Sequence, residues 1–155
     1  MLVLVWPARS GARSAEGYDE QMATILAHLT VKPGEEARFE SIARELWAAT
    51  HDREADVLRY EYWRGAEPGT YYTLLSFPDA SAFWAHQVSD HHEQAAAPLG
   101  EVLSGIRLEW IDPVAGASPL PSTAAHEVPV DADEATRRAA RLFAPRIASW
   151  WAGQH

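Results

Sequence analysis

The sequence predicts an α+β domain in which four strands and two helical stretches follow one another as β-α-β-β-α-β. Three observations carry this reading. In residues 25–32 the positions Ile25, Ala27, Leu29 and Val31 alternate with Leu26, His28, Thr30 and Lys32, the two-residue period of a half-buried strand. In residues 35–50 the period lengthens, so that Phe39, Ile42, Ala43, Leu46 and Ala49 form one apolar helical stripe. Two further strand-like runs, VLRYEYWRG and TYYTLLSF, are separated only by the turn AEPG, which makes a hairpin.

Each element has its own local warrant. Residues 1–22 are rich in small and charged residues after Trp6, offer little apolar area to offset ordering entropy, and read as a mobile arm. Translation from Met22 would give an ordinary domain start, so either Met1 or Met22 fits as the first residue. Pro33-Gly34 ends the first strand. Glu35 and Glu36 open the first helix, where the helix dipole favours negative charge, and Glu40 and Arg44 are spaced as an i,i+4 pair. Pro78 stops the third strand, and Asp79 can cap a helix through ASAFWAHQVS. The following HHEQAAAPLGEVL reads as helical with interruptions at Pro98 and Gly100, and IRLEWIDPV as the last strand. This order is the split arrangement of ferredoxin-like domains, with both helices on one face of an antiparallel sheet. The other face is left bare, and a second copy of the chain is the simplest cover.

The domain is expected over 23–114, followed by a Pro/Ala-rich linker over 115–130 and a helical extension over 131–155. Asp131 with Glu134 resembles a capping box. Ala135, Ala139, Leu142 and Phe143 form a stripe before Pro145, and Ile147, Trp150 and Trp151 are apolar enough that the tail is expected to dock.

Composition narrows the function. The chain has 155 residues, 47% of them hydrophobic and 23% charged, which suits one globular domain. A net charge of −9 with a single lysine, Lys32, argues against nucleic acid as partner. The chain has no cysteine, which removes disulfides, iron–sulfur clusters and thiolate zinc sites. No apolar run reaches the ~18 residues that span a bilayer, and the opening MLVLVWPARS does not read as a secretion signal. No membrane association and a cytoplasmic location are expected.

Residues 83–94, FWAHQVSDHHEQ, hold three of the seven histidines. Phe83 and His86 lie three apart on one helix face, so His86 should turn toward the sheet, where an imidazole can serve as a base near neutral pH. A core imidazole bonded to a backbone carbonyl explains His86 as well. His91 could reach the same mouth or make only a structural hydrogen bond, and His92 is expected to face solvent. The three lack the i,i+4 spacing of paired helix ligands, so no metal site is expected. Tyr60 and Tyr62 share one strand face, where a phenol could bond a substrate oxygen or simply pack across strands. Trp63 lies on the opposite face, which suits a dimer interface.

Residues 24–112 resemble the antibiotic biosynthesis monooxygenase family of the dimeric α+β barrel superfamily. The pieces are LTVKPG with its helix, VLRYEYWRG, the hairpin into LLSF, and AHQVSDHHEQ, in which Ala85, His86, Ser89 and His91 follow the pattern A-H-x-x-[ST]-x-H. The resemblance implies a homodimer with a pocket between sheet and helices in each subunit, walled by Ala27, Leu29, Tyr62 and Phe83. It implies His86, His91 and Tyr60 as catalytic candidates. It further implies a cofactor-independent monooxygenase that oxidises a small phenolic, quinol-like or polyketide-derived aromatic substrate with O2, using no flavin, haem or metal. The alternatives are a non-catalytic dimeric binding protein or an isomerase using the same pocket. Leu75 and Phe77 stand where many relatives carry Glu-x-Trp, which speaks against one anthrone-oxidising subclass. Ala27, His86 and Ala96 stand where the haem-degrading branch has Asn, Trp and His. Trp84 replaces a usually polar position and calls for a buried partner, for which the C-terminal tail is the candidate.

Overall fold

A computed structural model describes residues 22–124 and 128–149. All of the N-terminal arm expected over 1–22 except Met22, and the docking of Trp150 and Trp151, fall outside these residues. The element order is β1 (Ala23–Val31), α1 (Glu36–Arg53), β2 (Arg59–Arg64), β3 (Thr70–Phe77), α2 (Ala80–Gln87), α3 (Asp90–Val102), β4 (Leu103–Trp110) and α4 (Glu134–Phe143). The strands form one antiparallel sheet in the order β2-β3-β1-β4, the arrangement that the split β-α-β pattern requires.

Register decides which side chains meet the helices. Ile25 pairs with Leu75 and Trp110, Ala27 with Thr73 and Leu108, and Tyr60 with Leu75. That face is buried under Phe39, Ala43 and Leu46 of α1, Phe83 and Trp84 of α2, and Val102 at the end of α3. The buried stripe of α1 runs through Phe39, Ala43, Leu46 and Thr50, so Thr50 takes the place expected for Ala49. Leu26, His28, Trp63, Tyr72 and Leu74 point to the opposite face, where Trp63 is 58% exposed.

The second helical region is two helices. α2 ends at Gln87, and Ser89 caps α3 by accepting from the backbone N–H of His92 while its own hydroxyl donates to the His86 carbonyl at 2.8 Å. A serine that bonds in both directions turns the chain sharply at this point. The interruptions expected at Pro98 and Gly100 do not occur, since α3 runs unbroken to Val102. Pro98 removes one helical hydrogen bond, that of Gln94, and Gln94 lies on the exposed side where water can replace it.

The chain after β4 is held to the domain. Met22, expected as the last residue of the arm, is buried and bridges to Thr123, and the Thr123 N–H donates to Asp112 at 2.8 Å. The capping box expected at Asp131 does not form; Asp133 caps α4 instead, accepting from Thr136 N–H at 2.7 Å. The inward stripe is shifted accordingly, with Ala139 buried and Ala140 and Phe143 packed on the core, while Ala135 and Leu142 are exposed. Ile147, expected to dock, is 46% exposed. Trp84 is buried, and α4 packs against the helix that carries it.

Phe83 is fully buried among Phe77, Trp84 and Trp110, with ring centroids 4.8–5.9 Å away. Phe83→Ala should cost about 3–5 kcal/mol of unfolding free energy, read by urea denaturation; a loss under about 1 kcal/mol would show that this aromatic cluster does not hold α2 to the sheet.

Candidate active site

Two connected features make the site: a cavity between sheet and helices, and a polar cluster beneath its wall. The cavity of about 300 Å³ exists because the middle of the sheet carries short side chains. Ala27 and Thr73 face each other there, and Leu29, Leu75 and Leu108 continue the wall. Phe39 and Leu46 close it from α1, and Ala96 and Leu99 from α3. The polar groups that reach it are Tyr60, Tyr62, Thr73, Gln87, His92 and Ser104. The hydroxyls of Tyr60 and Tyr62 are hydrogen-bonded at 2.9 Å, as two residues on one strand face allow. Burial raises both phenols, Tyr60 well above its usual range and Tyr62 to about 12, so both stay protonated donors.

Beneath the wall, Glu54 at the C-terminal end of α1 accepts from two imidazoles. His86 Nδ1 donates to its two carboxylate oxygens at 2.8 and 3.1 Å, and His91 Nε2 donates at 2.5 Å. The carboxyl is pushed up by burial, but the hydrogen bonds and positive charge of His86 and His91 outweigh this and hold it low. An ionised carboxylate only accepts, so each imidazole presents an N–H to it. That leaves His86 Nε2 buried without a partner among the described residues. The His86 ring stands 4.9 Å from the rings of Tyr60 and His92, both on the cavity wall.

Three expectations change, and one residue joins the site. His86 turns inward as its spacing with Phe83 required, but it stops one layer behind the cavity. Phe83 is not on the cavity wall; it packs beneath Phe77. His92, expected in solvent, lines the cavity, because the turn at Ser89 starts a new helix in a different phase. Glu54, which the sequence reading missed, joins the histidines. A signal for it exists: Phe39, Ala43, Leu46 and Thr50 extend by four residues to position 54, so the buried stripe ends on an acid. Of the other expected residues, His91 sits in the Glu54 cluster, and Tyr60, Tyr62, Ala27 and Leu29 are all on the cavity wall.

Residues 22–98 match the antibiotic biosynthesis monooxygenase family. This segment is a domain of that family. Its fold is shared with a candidate antibiotic biosynthesis monooxygenase from Caulobacter crescentus, 29% identical with a TM-score of 0.58 over 63% of this chain and 93% of that one. PA3566 from Pseudomonas aeruginosa is 22% identical with a TM-score of 0.58, covering 64% of this chain and all (100%) of its own. Rv0793 from Mycobacterium tuberculosis, 18% identical with a TM-score of 0.57, covers 63% and 100%. At these lower identities the likeness is one of fold. No curated protein matches the chain. No described helix is long and apolar enough to cross a membrane.

In this monooxygenase-family domain, the Glu54, His86 and His91 donor atoms lie within 4.8 Å of one another. Two imidazoles and a carboxylate are a donor set for zinc or iron(II). In the structure these atoms are joined by hydrogen bonds, and the buried His86 Nε2 has no partner among the described residues.

His92 has a different electrostatic setting. Burial and the neighbouring positive charge of His86 and His91 push its pKa down to about 3, against the opposing pull of Glu54. Its imidazole is therefore neutral at pH 7. As pH falls below the unfolded value near ~6.5, the unfolded chain takes up a proton that the native state refuses until about 3, so stability is lost on acidification through that window. Glu54, held low, adds its own loss only below its unfolded value near ~4.5. Urea unfolding at pH 7.5 and 5.0 should show His92→Gln losing about 1–2 kcal/mol less than the parent chain; equal losses would place His92 in water.

Proposed function

We propose that this protein is a cofactor-independent oxygenase that oxidises a small phenolic or quinol-like molecule with O2. The observation that carries the reading is a neutral imidazole, His92, standing with the Tyr60–Tyr62 hydroxyl pair in an otherwise largely apolar cavity. A volume of about 300 Å³ lies at the lower end of the usual range for small-molecule pockets, about 300–1,000 Å³, and favours one or two rings over larger polycycles.

The phenol hydroxyl bonds to the cavity's polar groups, and His92 takes its proton. Burial and the charges of His86 and His91 make the imidazolium costly and Glu54 offsets them only in part, so it is the phenolate formed beside it that supplies the opposite charge. The electron-rich phenolate passes one electron to O2, and the resulting radical and superoxide combine at a ring carbon bearing hydrogen. His92 returns its proton to the peroxide anion, and loss of water, which carries off the ring carbon's hydrogen as well, leaves a quinone. One oxygen atom enters the product, the other leaves as water, and the substrate supplies all four electrons. Apolar walls keep water from the radical pair. His86 and His91, expected at the reacting centre, act in this reading as positioning residues: with Glu54 they hold the turn from which His92 projects. A homodimer is part of the proposal, supported by the exposed Trp63 beside Leu26, Tyr72 and Leu74 on the open sheet face.

Oxygen uptake with a panel of hydroquinones and naphthols tests this. Turnover is expected for the parent chain, and His92→Phe should lower kcat by about 10²–10⁴-fold while retaining the fold. Unchanged turnover in His92→Phe would remove the imidazole from the chemistry. Ligand-induced thermal stabilisation without oxygen uptake would point to a binding protein instead.

A further inference from the structure

We propose that Phe143, carried on α4 outside the family's shared segment, is a specificity-determining residue that limits the ring size the cavity accepts. This rests on the phenol reading of the cavity and names what selects among phenols. The family match ends at residue 98. Relatives matched over 93–100% of their own length account for only 63–64% of this chain. α4 lies past the last strand of the sheet, and yet one of its side chains reaches the site: Phe143 shares the cavity lining with Ala96 and Leu99 of α3 and Ile106 and Leu108 of β4.

The position of that ring is braced on both sides. Before it, Ala139 is buried, and Arg138 Nη2 donates to Glu93 Oε2 at 2.7 Å, tying α4 to the first turn of α3 one residue from His92. After it, Arg146 adds a short parallel bridge to the edge of β4: Trp110 N–H donates to the Arg146 carbonyl at 3.0 Å, and Arg146 N–H to the Leu108 carbonyl at 2.8 Å. Arg138 and Arg146 thus fasten the segment to two elements that wall the cavity, with Phe143 between them. Pro145, just past the C-cap Ala144, is buried and cannot continue the helix. On the part of the lining that α3, β4 and α4 supply, Phe143 is the largest apolar side chain, the others being His92, Ser104 and small or aliphatic residues such as Ala96, Gly100 and Gly105. Phe143 is therefore the bulky group in that part of the wall, and its removal would open space for about one more ring. A flat apolar side chain there also suits the face of an aromatic substrate.

The test measures binding by the full chain to phenol, 2-naphthol and 2-anthrol, by calorimetry or thermal shift. The parent chain is expected to prefer phenol and 2-naphthol. Phe143→Ala should raise affinity for 2-anthrol relative to phenol by about tenfold or more, with Phe143→Leu intermediate. Leu142→Ala, on the same turn but 64% exposed, should leave the order unchanged. If Phe143→Ala does not fold, Phe143→Leu against Phe143→Trp, expected to move the ratio in opposite directions, decides the matter. Phenols that bind with the same size preference in every Phe143 variant would overturn the assignment while leaving the phenol reading intact. Failure of every phenol to bind either the parent or the variants would overturn the phenol reading, and this inference with it.

Discussion

A single carboxylate shared by two imidazoles holds this site together. Glu54 is largely removed from water, and an unpaired charge in such a place is costly. It is satisfied only if His86 from the end of α2 and His91 from the start of α3 both turn toward it. That requirement ties three helices at one point and defines the bend at Ser89. His92 follows next in the chain, and the bend turns its ring into the cavity. Breaking the cluster would leave a buried charge and free the bend together, so the electrostatic constraint and the shape of the site are one property.

The cavity has a complementary origin in the sheet. Packing normally leaves few voids larger than a water molecule. Here the cross-strand pair at the sheet centre is Ala27 with Thr73, flanked by larger residues on the same face. Two short side chains at one register position leave a hollow that α1 and α3 roof over. Its polar groups are few and mostly hydroxyl or amide, and His92 is the only imidazole on the wall among the described residues.

Much of the fold was legible from residues alone. Alternation in β1, the stripe of α1 and the Pro-Gly turn of the hairpin each record which side faces a core, and the strands observed begin and end within a few residues of the expected ones. His86 was legible too, because three residues separate it from Phe83. His92 was not. A helix assumed continuous assigns it to solvent, and only the serine cap, which restarts the helix, reverses that. At Pro98 the error ran the other way: proline signals a break, but one lost hydrogen bond on a wet helix face is tolerated. In α4 the stripe was found with the wrong phase, since Asp133 rather than Asp131 caps it.

The order of elements, the buried face of each strand and the inward turn of the α2 histidine were determined by the sequence itself. They depend on periodicity and local caps, which act between near neighbours. The pairing of Glu54 with His86 and His91, across 32 and 37 residues, was decided only by the tertiary structure. So was the arrival of Phe143 at a cavity built from strands and helices far before it. These contacts need chain closure over long separations, and the residues involved carry no mark of their partner until the sheet brings them together.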